Sequence, residues 1–387
     1  MKKYSLLTTV ACILVLFGCS STDKQENEQK LTLKEALEGK FYIGTALNTE
    51  QIMERDSNAV QVIKEQFNAI VAENCMKSMY LQPKEGEFYF DEADKFVDFG
   101  QQNNMFITGH TLVWHSQAPR WFFTDEEGKD VSREVMIERM KNHIFTVAGR
   151  YKGKIKGWDV VNEAVLDDGT LRDSKFLQII GPDYIRLAFE FAHEADPDAE
   201  LYYNDYSMAL PAKRQGVVDL VKSLQEQGVR IDGIGMQGHL NMQFPSLEEF
   251  EKSLLAFSDL GVKVMITELD LSVLPSPKKD VGADIAQSFE YQQEINPYAE
   301  GLPQETATAW ENRYLDFFKL FLIHRDKISR VTLWGVGDSD SWKNNWPVEG
   351  RTDYALLFDR NYKAKPIVNK IMEEAVQYNN PEKKNQK

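Results

Sequence analysis

The sequence predicts an α/β fold, a (β/α)8 TIM barrel in a single domain. Short apolar runs with the length and composition of buried strands alternate with segments of helical spacing along most of the chain. Both faces of these runs are apolar, which is typical of parallel strands that helices cover from outside. An open doubly wound sheet is the alternative, but no glycine-rich phosphate turn follows the first run. We therefore predict the barrel.

Eight runs are expected to form the barrel strands. In chain order they are residues 41–46, 69–74, 105–110, 157–162, 200–204, 231–237, 262–268 and 330–334. The segments with helical spacing are residues 60–67, 94–103, 133–151, 182–195, 212–227, 247–260 and 310–325. The longest irregular connection, residues 271–308, is rich in proline and polar side chains and is expected to overhang the mouth of the barrel.

The first 30 residues are expected to precede the barrel domain, which we place at residues 31–387. Residues 1–18 combine a basic start with an apolar run too short to span a membrane, as in a secretory signal peptide. The segment Leu16-Phe17-Gly18-Cys19 resembles a bacterial lipobox, so Cys19 is expected to carry lipid; a plain signal peptide is the alternative. Residues 19–30 are polar and charged, which predicts a flexible tether. These features predict a lipoprotein of the cell envelope, on the periplasmic or the outer face of the outer membrane.

Charge and cysteine content exclude some classes of protein. The formal net charge of −15 makes the chain a poor ligand for nucleic acid or anionic lipid. Of the three cysteines, Cys12 lies in the signal peptide and Cys19 in the lipobox, so Cys75 has no partner for an internal disulfide. The remaining roughly 350 residues are long enough to bury a large core without one. A monomer is expected.

Polar side chains follow seven of the predicted strands. They are Glu73, Asn74 and Lys77 after the second run; His110, Trp114, His115 and Gln117 after the third; Asn162 and Glu163 after the fourth; Asn204, Asp205 and Tyr206 after the fifth; Gln237 and His239 after the sixth; Glu268 and Asp270 after the seventh; and Trp334 and Trp342 after the eighth. Carboxyl ends of barrel strands meet at one mouth, where barrel enzymes have their active sites. One shared site explains this distribution better than seven separate caps and turns.

Two carboxyl groups suggest a chemistry for that site. Glu163 follows the fourth run and Glu268 the seventh, and strands three apart in an eight-stranded barrel face each other across the mouth. Two carboxyl groups on opposite sides of one bond are the arrangement used for glycoside hydrolysis. Burial among apolar groups favours the protonated form that a general acid needs. The alternative for Glu163 is a structural ion pair or a helix cap.

His239 is predicted to support Glu268. Glu268 and Asp270 are two residues apart and point the same way while the strand stays regular. Two such carboxylates repel each other unless a donor lies between them, and His239 from the preceding run is placed to donate. A plain histidine–aspartate hydrogen bond at the barrel rim is the alternative.

A metal site is the competing hypothesis. Six of these side chains are able to bind metal: His110, His115, His239, Glu163, Glu268 and Asp270. However, His110 and His115 are not spaced as a helical ligand pair, and no cysteine or aspartate cluster supports them. We therefore expect neither a metal nor a cofactor.

Four stretches resemble the motifs of glycoside hydrolase family 10, the endo-β-1,4-xylanases. They are GHTLVWHSQ at residues 109–117, WDVVNEA at 158–164, IGMQGH at 234–239 and ITELD at 266–270. The similarity covers residues 41–362, nearly all of the chain after the tether. It implies a single (β/α)8 catalytic domain that hydrolyses xylan or xylo-oligosaccharides with retention of configuration.

The resemblance also implies roles for individual residues. Glu163 would be the acid/base and Glu268 the nucleophile, about 5–5.5 Å apart. Asn162 would hold the sugar 2-hydroxyl, while His239 and Asp270 would set the ionisation of Glu268. The residues implied for substrate binding are Glu73, Asn74, Lys77, His110, Trp114, Gln117, Gln237, Trp334 and Trp342.

The sequence departs from the family pattern on the side that binds the glycone. Ser78 stands where the family usually has tryptophan after Met-Lys, and Gln82 stands where it usually has glutamate before proline. Neither position touches the catalytic pair. Two alternatives to a xylanase stay open, namely a related β-1,4-glucanase or xylan-oligosaccharide hydrolase, and a non-catalytic glycan-binding lipoprotein.

Overall fold

A computed structural model of the 387-residue chain describes residues 31–275 and 294–378. The strands in these ranges are β1 (Tyr42–Leu47), β2 (Ala69–Ala72), β3 (Phe106–Trp114), β4 (Gly157–Asn162), β5 (Glu200–Asp205), β6 (Gly233–Met236), β7 (His239–Asn241), β8 (Lys263–Ser272) and β9 (Ile328–Leu333). The predicted signal peptide, the tether with Cys19, and residues 276–293 of the long connection lie outside the described ranges.

Eight of these strands close a parallel barrel. Neighbours pair in the order β6-β5-β4-β3-β2-β1-β9-β8, and β6 also pairs with β8. The predicted (β/α)8 fold is therefore confirmed, and each of the eight predicted runs overlaps one barrel strand. Because the strands are parallel, their carboxyl ends lie at one mouth.

The strands differ from the prediction near the site. Strands β3 and β8 continue to Trp114 and Ser272, beyond the predicted ends of their runs. The short strand β7 was not predicted, and it pairs with the carboxyl end of β8 so that His239 lies opposite Asp270. This additional pairing places a histidine beside the two acidic residues of β8.

Helices connect the strands on the outside of the barrel. In the described ranges they are Leu33–Ala36, Thr49–Ile52, Ser57–Gln66, Ser78–Leu81, Asp91–Gln102, Arg133–Arg150, Lys175–Ile180, Tyr184–Ala195, Pro211–Glu226, Leu247–Ser258, Gln304–Ile323 and Pro366–Gln377. Short 3-10 turns lie at Arg120–Phe122 and Asp338–Asp340. The helix Gln304–Ile323 begins within the stretch predicted to be irregular. Within residues 31–275 and 294–378, no helix has both the length and the hydropathy of a membrane span.

Local sequence explains where several helices begin. Ser132, Ser174 and Ser246 precede helices, and each hydroxyl accepts a hydrogen bond from the backbone N–H three residues later. Each of these helices buries apolar residues in the core, which spans the inside of the barrel and the layer between strands and helices.

Close packing of β3 on β4 requires one glycine. A Cβ at Gly109 would lie only 2.1 Å from the ring of Trp158, which is fully buried. Glycine therefore allows the indole to pack directly against the backbone of β3. This contact fixes the strand whose end carries Asn162 and Glu163.

Candidate active site

A cleft of about 560 Å³ opens at the carboxyl ends of the barrel strands. All of the predicted site residues in the barrel line it, except Asp270 and Gln117. Residues that sequence reasoning did not assign also line it, namely Tyr206, Ser207, Leu240, Asn241, Ser272, Leu274, Pro275, Lys343, Trp346 and Arg351. The predicted convergence on one mouth is thus observed.

Glu163 lies just beyond β4 in a left-handed backbone conformation, with φ of 60°. Its Oε2 accepts a hydrogen bond of 2.9 Å from the indole of Trp114, and its Oε1 accepts one of 3.0 Å from the amide of Gln237. The amide of Asn162 lies 3.4 Å from the same Oε1. The carboxyl group is therefore oriented by neutral donors from β3, β4 and the end of β6.

Glu268 lies within β8 and has different neighbours. The amide of Asn204 donates to its Oε1 at 2.8 Å, and His239 Nε2 lies 3.2 Å from its Oε2. Burial acts to raise the pKa of Glu268, but the bonds and positive charge around it, led by His239, hold that pKa below the usual value. Glu268 is thus kept as a carboxylate inside the cleft.

Asp270 is the second carboxylate of β8 and is bonded to the other ring nitrogen of His239. His239 Nδ1 lies 2.9 Å from Asp270 Oδ2, and the side chains of Trp342 and Lys343 also donate to Asp270, each at 2.9 Å. Burial disfavours the imidazolium, but Asp270 and Glu268 outweigh it and raise the pKa of His239 to about 9. Burial likewise opposes ionisation of Asp270, but Lys343 and His239 lower its pKa. His239 is therefore a cation at neutral pH, and it lies in the position between Glu268 and Asp270 where a donor was predicted.

The side-chain amides of the barrel ends orient one another. Asn204 Nδ2 lies 3.0 Å from the Oδ1 of Asn162, and its own Oδ1 accepts a hydrogen bond of 2.6 Å from the hydroxyl of Thr267. Asn204 therefore links the end of β4 to Glu268. Asn204 was predicted to lie at the mouth but was given no role, because the sequence does not indicate the register between β4 and β5.

One wall of the cleft comes from β2 and β3. Lys77 donates to Asn74 at 2.9 Å, and its ammonium group lies 5.0 Å from the centre of the Trp114 ring. Burial lowers the pKa of Lys77, although Glu268 and Glu73 oppose the shift. Burial also raises the pKa of Glu73, while Lys77 opposes it. The wall therefore combines hydrogen-bonding groups with partly desolvated charges.

His110 is fixed deeper in the cleft. Its Nδ1 lies 2.8 Å from a carboxylate oxygen of Asp159, and the edge of its ring contacts Trp334 with 5.5 Å between centroids. Because Nδ1 faces a carboxylate, it carries a proton, and Nε2 is the atom left for a ligand.

Two tryptophans form another wall of the cleft. The ring of Trp342 contacts His239 with 5.5 Å between centroids, and Trp346 lies 5.7 Å beyond Trp342. Both indoles are largely exposed, at 40% and 50%. Exposed aromatic faces beside a polar cleft are suited to stack on sugar rings. Trp342 was predicted for this wall, whereas the loop containing Trp346 had no motif that indicated its place.

Gln117 does not line the cleft. Its backbone oxygen accepts hydrogen bonds from Met79 and Ser78 instead. Buried His143 bonds Gln82, and His193 is exposed, and neither lines the cleft.

One of the side chains considered for a metal site, His115, does not line the cleft. Burial lowers the pKa of His115 to about 4. Among residues 31–275 and 294–378, no three histidine, cysteine, aspartate or glutamate side chains are grouped to hold a metal ion.

The cleft thus holds a carboxylate supported by a cation and, in the same cavity, a carboxyl group bonded to neutral donors. A model of the glycosyl hydrolase family 10 matches residues 32–374. The chain belongs to glycosyl hydrolase family 10.

Two relatives named as endo-1,4-beta-xylanases match most of the chain. Endo-1,4-beta-xylanase A of Xylanibacter ruminicola is 54% identical over 341 residues, which cover 88% of this chain and 92% of that protein. Endo-1,4-beta-xylanase of Geobacillus stearothermophilus is 42% identical over 344 residues, covering 87% and 96%.

Solved structures agree with the fold. A family 10 endoxylanase from a sugarcane soil metagenome superposes with a TM-score of 0.84 at 45% identity, covering 89% of this chain and all of that chain (100%). A mutant structure in complex with xylotriose superposes with a TM-score of 0.79 at 37% identity, covering 89% and 100%.

Proposed function

We propose that this chain is a retaining endo-1,4-β-xylanase, with Glu163 as acid/base and Glu268 as nucleophile. The observation that carries the assignment is the difference between the two carboxyl groups. Glu268 faces the imidazolium of His239, whereas the carboxyl group of Glu163 is bonded to the neutral donors Trp114 and Gln237. The xylanase names of its relatives at 54% and 42% identity support the substrate.

In the first step, the carboxylate of Glu268 attacks the anomeric carbon of a xylose unit. Glu163 gives its proton to the glycosidic oxygen as the bond to the departing chain breaks, which leaves a xylosyl ester on Glu268. In the second step, the Glu163 carboxylate removes a proton from water, and the water oxygen displaces Glu268. Two inversions give net retention.

Asn162 holds the 2-hydroxyl of the reacting sugar in this proposal. Its Oδ1 is already bonded by Asn204, so its orientation is set before substrate arrives. This hydrogen bond to the 2-hydroxyl becomes stronger as the sugar ring approaches the oxocarbenium-like transition state. It therefore lowers the activation free energy and does not only tighten substrate binding.

The remaining polar residues of the cleft bind the glycone. Those assigned to this role are Glu73, Asn74, Lys77, His110 and Gln237, with Trp114, Trp334 and Trp342 as walls. Gln117, which the family resemblance implied for the same role, does not line the cleft and is left out of the proposal. A wall placed where C6 of a hexose would project favours a pentose by excluding glucose.

The test compares reducing-sugar release from xylan with that from soluble cellulose. We expect release from xylan in clear excess, with short xylo-oligosaccharides among the products. Equal or greater release from cellulose would indicate the related β-1,4-glucanase instead. Binding of xylan without release would indicate the non-catalytic lipoprotein. EDTA is expected to leave activity unchanged, since no step uses a metal.

The same proposal places the enzyme in the cell envelope as a monomer, anchored through lipid on Cys19. The basic and apolar start of the sequence and the lipobox-like segment before Cys19 support it. Cys19→Ser should release the enzyme from the membrane fraction, and protease treatment of intact cells should distinguish the outer from the periplasmic face. Light scattering of the barrel domain tests the monomer.

A further inference from the structure

The backbone of Glu163 is held in an unfavourable conformation. A φ of 60° is uncommon for a residue with a side chain, and such a residue persists only where its surroundings impose the conformation. The chain must turn sharply here, because β4 ends at Asn162 and the carboxyl group has to face the cleft. Contacts beneath this turn therefore determine where the carboxyl group points.

Arg172 supplies the first of these contacts. Val165 and Leu171 pair as an antiparallel bridge, which brings the next residue, Arg172, close to the turn at Glu163. Arg172 Nε then donates to the backbone oxygen of Glu163 at 2.8 Å, and its Nη2 donates to the hydroxyl of Tyr206 at 2.6 Å. The guanidinium plane is thus fixed at both ends.

Tyr203 supplies the second contact. Its hydroxyl accepts hydrogen bonds from the backbone N–H groups of Ala164 and Val165, both at 3.1 Å, and donates to a carboxylate oxygen of Asp205. The N–H of Val165 also reaches Asp205 at 3.2 Å. Tyr203, Asp205, Ala164 and Val165 are all buried, so losing the hydroxyl would leave two backbone donors with fewer partners.

We propose that Arg172 and Tyr203 are positioning residues for proton transfer by Glu163. Neither lines the substrate cleft, and both bond the backbone of the turn rather than the carboxyl group. They hold the left-handed turn that aims the carboxyl group at the glycosidic oxygen. The inference rests on the proposed role of Glu163 as acid/base.

The test uses substrates that differ in their need for an acid. A phenyl xylobioside requires protonation of its leaving group, whereas a 2,4-dinitrophenyl xylobioside does not. For Arg172→Met and Tyr203→Phe, kcat/KM on the phenyl substrate and on xylan should fall about 10²-fold, as expected when a catalytic group is misplaced by about 1 Å. On the dinitrophenyl substrate kcat/KM should stay within about threefold of the wild-type value, because attack by Glu268 is unaffected.

Two measurements separate positioning from loss of folded protein. Titration with a 2-fluoro xylobioside that traps Glu268 counts the competent sites and normalises every rate. Arg172→Lys keeps one donor for the Glu163 carbonyl. It should therefore recover part of the kcat/KM that Arg172→Met loses on the phenyl substrate and on xylan. Arg133→Met and Tyr151→Phe are the matched controls, because Arg133 Nε bonds a backbone oxygen at 2.9 Å and Tyr151 bonds Asp94 at 2.9 Å outside the cleft.

The possible outcomes are distinct. An equal fall on both aryl substrates, or no fall on either, would overturn the positioning role. A selective fall in the controls as well would also overturn it. Wild-type enzyme that cleaves neither xylan nor the two xylobiosides would instead refute the proposed function.

Discussion

His239 Nε2 lies 3.2 Å from Glu268 Oε2, so the imidazole donates directly to the proposed nucleophile. The other ring nitrogen faces Asp270 at 2.9 Å. A neutral imidazole has only one N–H and is able to satisfy only one of these carboxylates. The protonated ring satisfies both, and this double contact links the ionisation of Glu268 to the charge on His239.

The first prediction concerns alkaline pH. The folded pKa of His239 is raised to about 9, so the imidazolium that supports Glu268 is present at neutral pH and is lost as pH rises through about 9. We expect kcat/KM on a 2,4-dinitrophenyl xylobioside to fall as pH rises through about 9, which gives the pH profile an alkaline limb. This substrate needs no acid, so protonation of Glu163 does not contribute.

His239→Asn provides the comparison for this limb. It should lower kcat/KM by about 10-fold to 10²-fold and remove the alkaline limb near pH 9. A wild-type profile that is flat to pH 10, or a limb that persists unchanged in His239→Asn, would contradict the assignment.

The second prediction concerns Glu268→Ala. Removing the nucleophile should lower turnover by roughly 10⁴-fold or more, because no covalent intermediate forms. Azide is expected to enter the space left by the carboxylate and to restore cleavage of a dinitrophenyl xylobioside. Since azide attacks from the nucleophile's side, proton NMR should show an α-xylosyl azide. A β-linked product would place the nucleophile elsewhere.

The third prediction concerns Glu163→Ala. Loss of the general acid should lower kcat/KM on xylan by about 10²-fold to 10⁴-fold but spare the first step on dinitrophenyl substrates. Azide now replaces water in the second step, so its product should have the β configuration, opposite to that from Glu268→Ala. For the wild type, early products with inverted configuration would exclude the double displacement.

Much of the site was predictable because barrel topology turns sequence order into spatial order. Once eight apolar runs were recognised, Glu163 and Glu268 had to lie at one mouth, and both line the cleft. The two-residue spacing of Glu268 and Asp270 also predicted a donor between them. His239 occupies that place.

Contacts that depend on register and loop path were not predictable. Asn204 bonds Asn162 because β5 pairs with β4 so that these two residues lie opposite each other, and no local pattern indicates this register. Trp346 lies on a loop whose path depends on its neighbours rather than on periodicity. Gln117 is a motif residue that was predicted to bind substrate but does not line the cleft. Its backbone oxygen accepts a hydrogen bond from Met79 instead.

The fourth prediction follows from Asn204. Its amide donates to Glu268 at 2.8 Å and to Asn162 at 3.0 Å. Asn204→Ala therefore removes one hydrogen bond from the proposed nucleophile and one from the residue proposed to hold the sugar 2-hydroxyl. We expect kcat/KM on both xylan and a dinitrophenyl xylobioside to fall about 10-fold to 10²-fold, since attack itself is impaired. Asn103→Ala is the control, because Asn103 donates at 2.8 Å to a helix carbonyl outside the cleft. Equal effects in the two variants would remove Asn204 from the mechanism.

The fifth prediction concerns a buried ion pair behind the Glu163 turn. Lys213 Nζ lies 2.8 Å from Asp205 Oδ1, and both side chains are fully buried. Lys213→Met leaves the Asp205 carboxylate without its cation and should lower the free energy of unfolding by roughly 3–5 kcal/mol at pH 8. Lys252→Met, which removes an exposed pair with Glu248 at 2.7 Å, should cost no more than about 1 kcal/mol.

The cost of Lys213→Met should also depend on pH. Burial raises the pKa of Asp205 to about 6, although Lys213 opposes the shift. Because the folded value is raised, ionised Asp205 costs stability as pH rises through about 6, and Lys213 offsets that cost. Below this pH the carboxyl group is neutral, so the difference between wild type and Lys213→Met should narrow at pH 5. Urea titrations at pH 5 and 8 measure the free energy of unfolding of both proteins. If the difference between them widens at pH 5, packing of the lysine stem, not its charge, stabilises the barrel.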